Sequence, residues 1–152
     1  MIKESNSPIG GKVEGVPSQE EMRLIFREIE MEMVQKPDAD GQWIKEVRAS
    51  MLKFAGLLPE YFVAEKEEFF PELIKCQPRF AIPLERLALE HVVILDEGNE
   101  ILSHLEGSID LDYYRLIEFK GRIEIFLAHF LKHEDEERKI IESVFWDDLG
   151  ES

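Results

Sequence analysis

The sequence predicts an all-α fold, an up-down-up-down antiparallel four-helix bundle. Apolar residues recur every three or four positions in four long stretches, which is the signature of amphipathic helices. No stretch alternates apolar and polar residues with period two for more than a few positions, so nothing reads as a strand. The joins between the helical stretches run about three to nine residues, short enough to place consecutive helices side by side and antiparallel.

The first helix opens at a capping box, with Ser18 as N-cap and Glu21 three residues on. Met22, Ile25, Phe26, Ile29 and Met33 form its inward stripe, and the run from Pro37 to Gly41 ends it. The second runs from about Gln42 to Lys75, with Val47, Met51, Phe54, Leu58, Tyr61, Glu65, Phe69 and Leu73 facing inward. Gly56 and Pro59 interrupt it and predict a kink or short break there. Pro83 suits the first turn of the third helix, where a missing N–H has no partner to lose. Its stripe is Leu84, Leu87, His91, Leu95, Gly98, Leu102 and Leu105, ending near Gly107. The fourth runs from around Asp110 to about Phe145, with Leu116, Ile123, Phe126, Phe130, His133, Ile140 and Val144 marking its buried side.

The chain has 152 residues, 33 of them acidic and 18 basic, for a net charge of −15. That length predicts one domain with a substantial core. The expected organisation is a flexible tail over 1–17, the bundle over 18–147 and a short tail over 148–152. The acidity argues against nucleic acid and anionic membranes as partners and would steer the chain towards a basic protein. One cysteine, Cys76, fits a reducing compartment. The absence of an apolar run of ~20 residues or of a signal-peptide core adds to a cytoplasmic expectation.

The informative residues are polar ones that the stripes place inside, where a charge is costly unless paired or bound to metal. Glu65 continues the stripe of the second helix and His91 interrupts the leucines of the third. His129 lies within the apolar run 125–131, and His133 follows one turn later. Three of the four histidines thus fall on predicted core faces, with His104 off its stripe and exposed. Bundle interiors assemble metal sites from such carboxylates and imidazoles on facing helices. His129 and His133, four apart, can clasp one ion, and mixed His and carboxylate ligation suits iron, manganese or zinc. Each residue also has a plainer reading, as a hydrogen-bonded core histidine or part of a solvated charged face, and coincidence across three helices favours metal.

Several segments resemble the hemerythrin-like family, in its HHE cation-binding branch. Tyr61 and Glu65, four apart and followed by Phe69, Phe70 and Pro71, resemble the family's second-helix histidine, glutamate and helix end. Glu90-His91 resembles the Glu-His pair of the third helix, and His129, His133 and Glu134 resemble the histidine and following carboxylate of the fourth. The segment Ile25 to Ile29 is similar to the first-helix motif. The resemblance covers about residues 18 to 145. It implies non-haem iron, as one or two ions or another divalent metal, held by Glu65, His91 and His129 with His133 or Glu134. Glu65 would be the bridging carboxylate. It further implies that the chain senses, binds or sequesters oxygen, nitric oxide or iron itself.

Three departures accompany the likeness: Phe26 and Tyr61 stand where the family has histidines, and Leu95 replaces a second third-helix histidine of its oxygen carriers. A slide of the whole site by one turn, from His129 to His133, would recruit Glu137 and Glu68 but bring Leu87 and Met22 to the same level, so it does not rescue the ligand set. Three outcomes stay open: one ion, two ions with Tyr61 as a phenolate ligand or solvent filling the gap, or a bundle without metal. The competing functions are a metal-free interaction module and an enzyme, for example in peroxide breakdown, using the same site.

Overall fold

A computed structural model of the chain describes residues 16–38, 41–106 and 112–150, with side chains to 146. The expected N-terminal tail up to residue 15 and the join at 107–111, where the fourth helix was to begin, lie outside the described residues. Among those described, the fold is helical and holds no strand: α1 (Gln19–Val34), α2 (Gln42–Ala64), a π-helical turn (Glu65–Phe69), α3 (Phe70–Cys76), a 3₁₀ turn (Pro78–Phe80), α4 (Ala81–Glu106) and α5 (Tyr113–Gly150). With α2, the π turn and α3 forming one continuous run, four long helical segments make a bundle. In it α1 packs on α2, α2 on α4, α4 on α5 and α5 on α1.

Local chemistry sets the ends. Ser18 Oγ accepts from the Glu21 N–H at 3.1 Å while Glu21 Oε1 accepts from the Ser18 N–H at 2.8 Å, closing the capping box. Gly41, at φ +80°, turns the chain into α2 in a conformation that other side chains rarely adopt. Lacking a side chain, it leaves the first amides of α2 to Asp38, whose Oδ1 accepts from Gln42 and Trp43 at 3.1 and 3.3 Å. Trp43 Nε1–H in turn donates to the Glu32 carbonyl at 2.9 Å, tying α2 to α1.

The stripes differ from expectation in three places. α2 runs through Gly56 and Pro59 without a break, and the irregularity comes later, as the π turn at Glu65. A π turn holds an extra residue, so the inward phase moves on by one: Phe70 is buried where Phe69 was expected, and Phe69 is only partly covered. On α4 the buried set is Leu84, Leu87, His91, Ile94, Gly98, Ile101 and Leu105, a strict three-four alternation, with Leu95 and Leu102 packed at its margin. Gly98 lets the Phe126 ring approach closely: a Cβ there would stand 3.3 Å from it. α5 continues to Gly150, past the expected end near Phe145.

The apolar interior falls into two clusters. The larger holds the α1 stripe, α2 to Phe62, α4 from Ile94 to Leu105 and α5 from Leu116 to Phe130. Within it Phe54 meets Phe26, Phe126 and Phe130 at ring-centroid distances of 6.0, 6.0 and 5.1 Å. The smaller joins Phe70, Leu73, Leu84, Leu87 and Val144. Between the two, on each long helix that contributes to both, lies a polar residue: Glu65, His91, His133 and Glu137, all buried. No helix among the described residues is long and apolar enough to cross a membrane.

Candidate metal centre

Each of these polar residues occupies a stripe position that its helix turns inward. On α5 the buried series Leu116, Phe119, Ile123, Phe126, Phe130, His133, Glu137 and Val144 advances by threes and fours, with one place skipped at the partly buried Ile140. His129 is not on that series. It sits on the outer face, 49% exposed, and its Nδ1 meets both oxygens of Glu97 at 2.7 and 2.9 Å. The expectation that His129 joins the metal ligands is therefore corrected: Phe130 takes the inward place at that level, and the imidazole meets the Glu97 carboxylate on the outer face.

The other four expected residues, Glu65, His91, His133 and Glu134, come together, and Glu137 joins them. Their donor atoms form two overlapping sets, Glu65–His91–His133 and Glu65–His133–Glu134–Glu137, with all atoms in each set within 4.8 Å of one another. His91 Nε2 lies 3.1 Å from Glu65 Oε1, His133 Nε2 lies 3.7 Å from the same oxygen, and Glu137 Oε2 lies 3.8 Å from His133 Nε2. Donors bound ~2.1 Å from a single ion stand roughly 3.0 to 3.4 Å apart, so these spacings need only small contractions. The one-turn slide is met on α5 alone: Glu137 stands with His133 in the cluster, while Glu65 and His91 keep their expected places. Glu68 stays exposed and Leu87 belongs to the smaller apolar cluster.

Neighbouring groups hold the donors in line. His133 Nδ1–H donates to Glu90 Oε1 at 3.0 Å, which turns Nε2 towards the centre, the arrangement metal-binding histidines commonly use. The His91 ring stacks on Phe62 with centroids 3.9 Å apart and planes 4° from parallel. Tyr61 O–H donates to Glu134 Oε1 at 3.1 Å. The π turn begins at Glu65 itself, so the one irregular stretch of the long helix lies where a carboxylate must face inward.

The electrostatics of the cluster are those of crowded, buried carboxylates and imidazoles. Burial, with the negative charges of Glu65 and Glu134 added, pushes Glu137 well above the usual carboxylate range. Burial and the Glu65 charge likewise lift Glu134 to about 7. Glu65 goes the other way: burial would raise it, but the His133 and His91 rings outweigh that and hold it below its ordinary value. Burial disfavours a charged His133, yet Glu65 and Glu90 raise its pKa. Burial and the charge of Glu134 raise the Tyr61 hydroxyl. Three buried atoms of the cluster, His133 Nε2, Glu134 Oε2 and Glu137 Oε2, have no hydrogen-bond partner. Buried polar atoms are nearly always satisfied, and three orphans in one donor set fit a bound cation.

The sequence brings Glu137 in only through a one-turn slide and Glu90 only as the neighbour of His91, and it does not show the donor role of Tyr61. Glu137 had a signal, since it fills the vacant place between His133 and Ile140 in the fourth-helix stripe. Glu90 and Tyr61 act through side-chain contacts between helices, which periodicity does not carry. No protein-family model, curated protein or solved structure matches the chain.

Proposed function

We propose that this protein is a metal-binding helical bundle of hemerythrin-like, up-down-up-down design that holds non-haem iron, as one or two ions, and binds or senses oxygen or nitric oxide, or sequesters the iron itself. The supporting observation is the set of unpartnered buried donors, His133 Nε2, Glu134 Oε2 and Glu137 Oε2, beside Glu65 and His91. Two imidazoles with three carboxylates suit iron or manganese better than a closed structural zinc site, which four ligands complete. Bound iron would supply an exchangeable coordination position for a small ligand. The chain's own residues supply the rest: His91 and His133 give nitrogen donors, and the carboxylates balance the ion's charge. Phe62, stacked on His91, helps keep water from the centre.

The test compares iron content after anaerobic loading and desalting. His133→Ala is expected to lose iron at least tenfold with its helical signal intact, while His129→Ala keeps the level of the unsubstituted protein. Equal iron in both variants would refute the assignment. No uptake by the unsubstituted protein would favour an acidic interaction module for a basic protein partner.

A further inference from the structure

Tyr61 lies one turn before Glu65 on α2, is buried, and hydrogen-bonds to one member of the donor set. Its one described hydrogen bond runs to Glu134 Oε1, while Oε2 of the same carboxylate is unpartnered and grouped with Glu65, His133 and Glu137. Glu134 follows His133 directly on α5, so it does not share the inward stripe position that Glu137 holds. A carboxylate at that angle, with both oxygens free, has several ways to turn. Fixing one oxygen leaves the other a single direction.

We propose that Tyr61 is a positioning residue of the metal centre, acting as an O–H donor that holds Glu134 Oε1 and thereby aims Oε2 at the ion, and that it is not itself a phenolate ligand. The inference rests on the metal-binding reading above. The geometry supports the donor role: the phenolic oxygen lies 3.1 Å from Glu134 Oε1, a carboxylate oxygen that can only accept from it, and a phenolate would lose that bond. Hydrogen-bond partners that orient ligands commonly tune metal affinity by about ten- to a hundredfold.

Ferrous-ion affinity measured anaerobically for the unsubstituted protein, Tyr61→Phe, Glu134→Gln and the double variant tests this, together with the absorption spectrum of each ferric form. Tyr61→Phe is expected to weaken binding about tenfold and Glu134→Gln by at least as much. The double variant should match Glu134→Gln within about threefold, because Tyr61 then has no carboxylate to orient. No ferric form should show a visible phenolate charge-transfer band. Multiplying losses in the double variant, or no loss from Tyr61→Phe, would overturn the positioning role, as would a visible band that Tyr61→Phe abolishes. The ferric spectrum of the unsubstituted protein decides between donor and ligand even if Tyr61→Phe folds poorly. Failure of the unsubstituted protein to bind iron would instead overturn the metal reading, and this inference with it.

Discussion

The aromatic layer around Phe26, Phe54, Phe126 and Phe130 and the polar layer of Glu65, His91, His133 and Glu137 are neighbours along the bundle, and the two have opposite energetics. The rings of the first layer satisfy one another in tilted and edge-on contacts, with nothing left unpaired. The second brings carboxylates together in a buried interior and, with Glu134 beside it, leaves three polar side-chain atoms without hydrogen-bond partners. A chain selected only for stability would fill that layer with leucines, since apolar replacements of buried ionic groups are often neutral or stabilising. Polar residues that break the apolar pattern in this way are where a functional site is expected.

The contrast is broken most severely in the aromatic layer. Phe54→Ala, at a fully buried ring with three aromatic neighbours, should lower unfolding free energy in urea by about 3–5 kcal/mol. Glu137→Leu, in the polar layer, should have the reverse sign, raising the stability of the metal-free protein by about 1–2 kcal/mol while abolishing tight iron binding. Equal destabilisation by both would mean that the polar layer is ordinary core.

pH sharpens the same comparison. Glu134 and Glu137 titrate higher in the folded protein than in the unfolded chain, so their contribution is full in acid and is lost as pH rises through the folded value, about 7 for Glu134. His133, also raised, contributes below its unfolded value of 6.5 and loses that contribution as pH climbs through its folded one. Glu65 is depressed and loses its contribution only as pH falls below 4.5. The metal-free protein should therefore be more stable near pH ~5.5 than near pH ~8, by roughly 1–3 kcal/mol in thermal or urea unfolding. Iron binding should strengthen over that interval, because the ion displaces the protons these groups hold. Glu137→Leu should flatten the stability profile. Far from both layers, Ser18→Ala removes one cap of α1 and should cost about 1 kcal/mol with no change in iron affinity.

Most of the helical framework was legible in the sequence because the apolar spacing is regular and the capping box of α1 is local. The α1 stripe is buried residue for residue as its spacing predicts. Where two apolar residues adjoin, spacing cannot choose between them, and this is why Ile94 and Ile101 occupy the places expected for Leu95 and Leu102. The π turn was invisible because Phe69 and Phe70 read alike whether the helix has its usual pitch or one extra residue. At the site, Glu65, His91 and His133 stood out as polar residues on apolar stripes. His129 misled because an apolar run surrounds it in sequence, although a helix turns successive residues to different faces. Glu137, within an acidic stretch, looked like surface; only its register with Phe130 and His133 marks it as interior.

The most direct test is the iron content of the protein, by mass spectrometry, after anaerobic incubation with ferrous iron and desalting. Near one or two irons per chain is the predicted result. No retained iron, with the helical signal intact, would contradict the account and leave the buried His and Glu residues as a polar layer of the core.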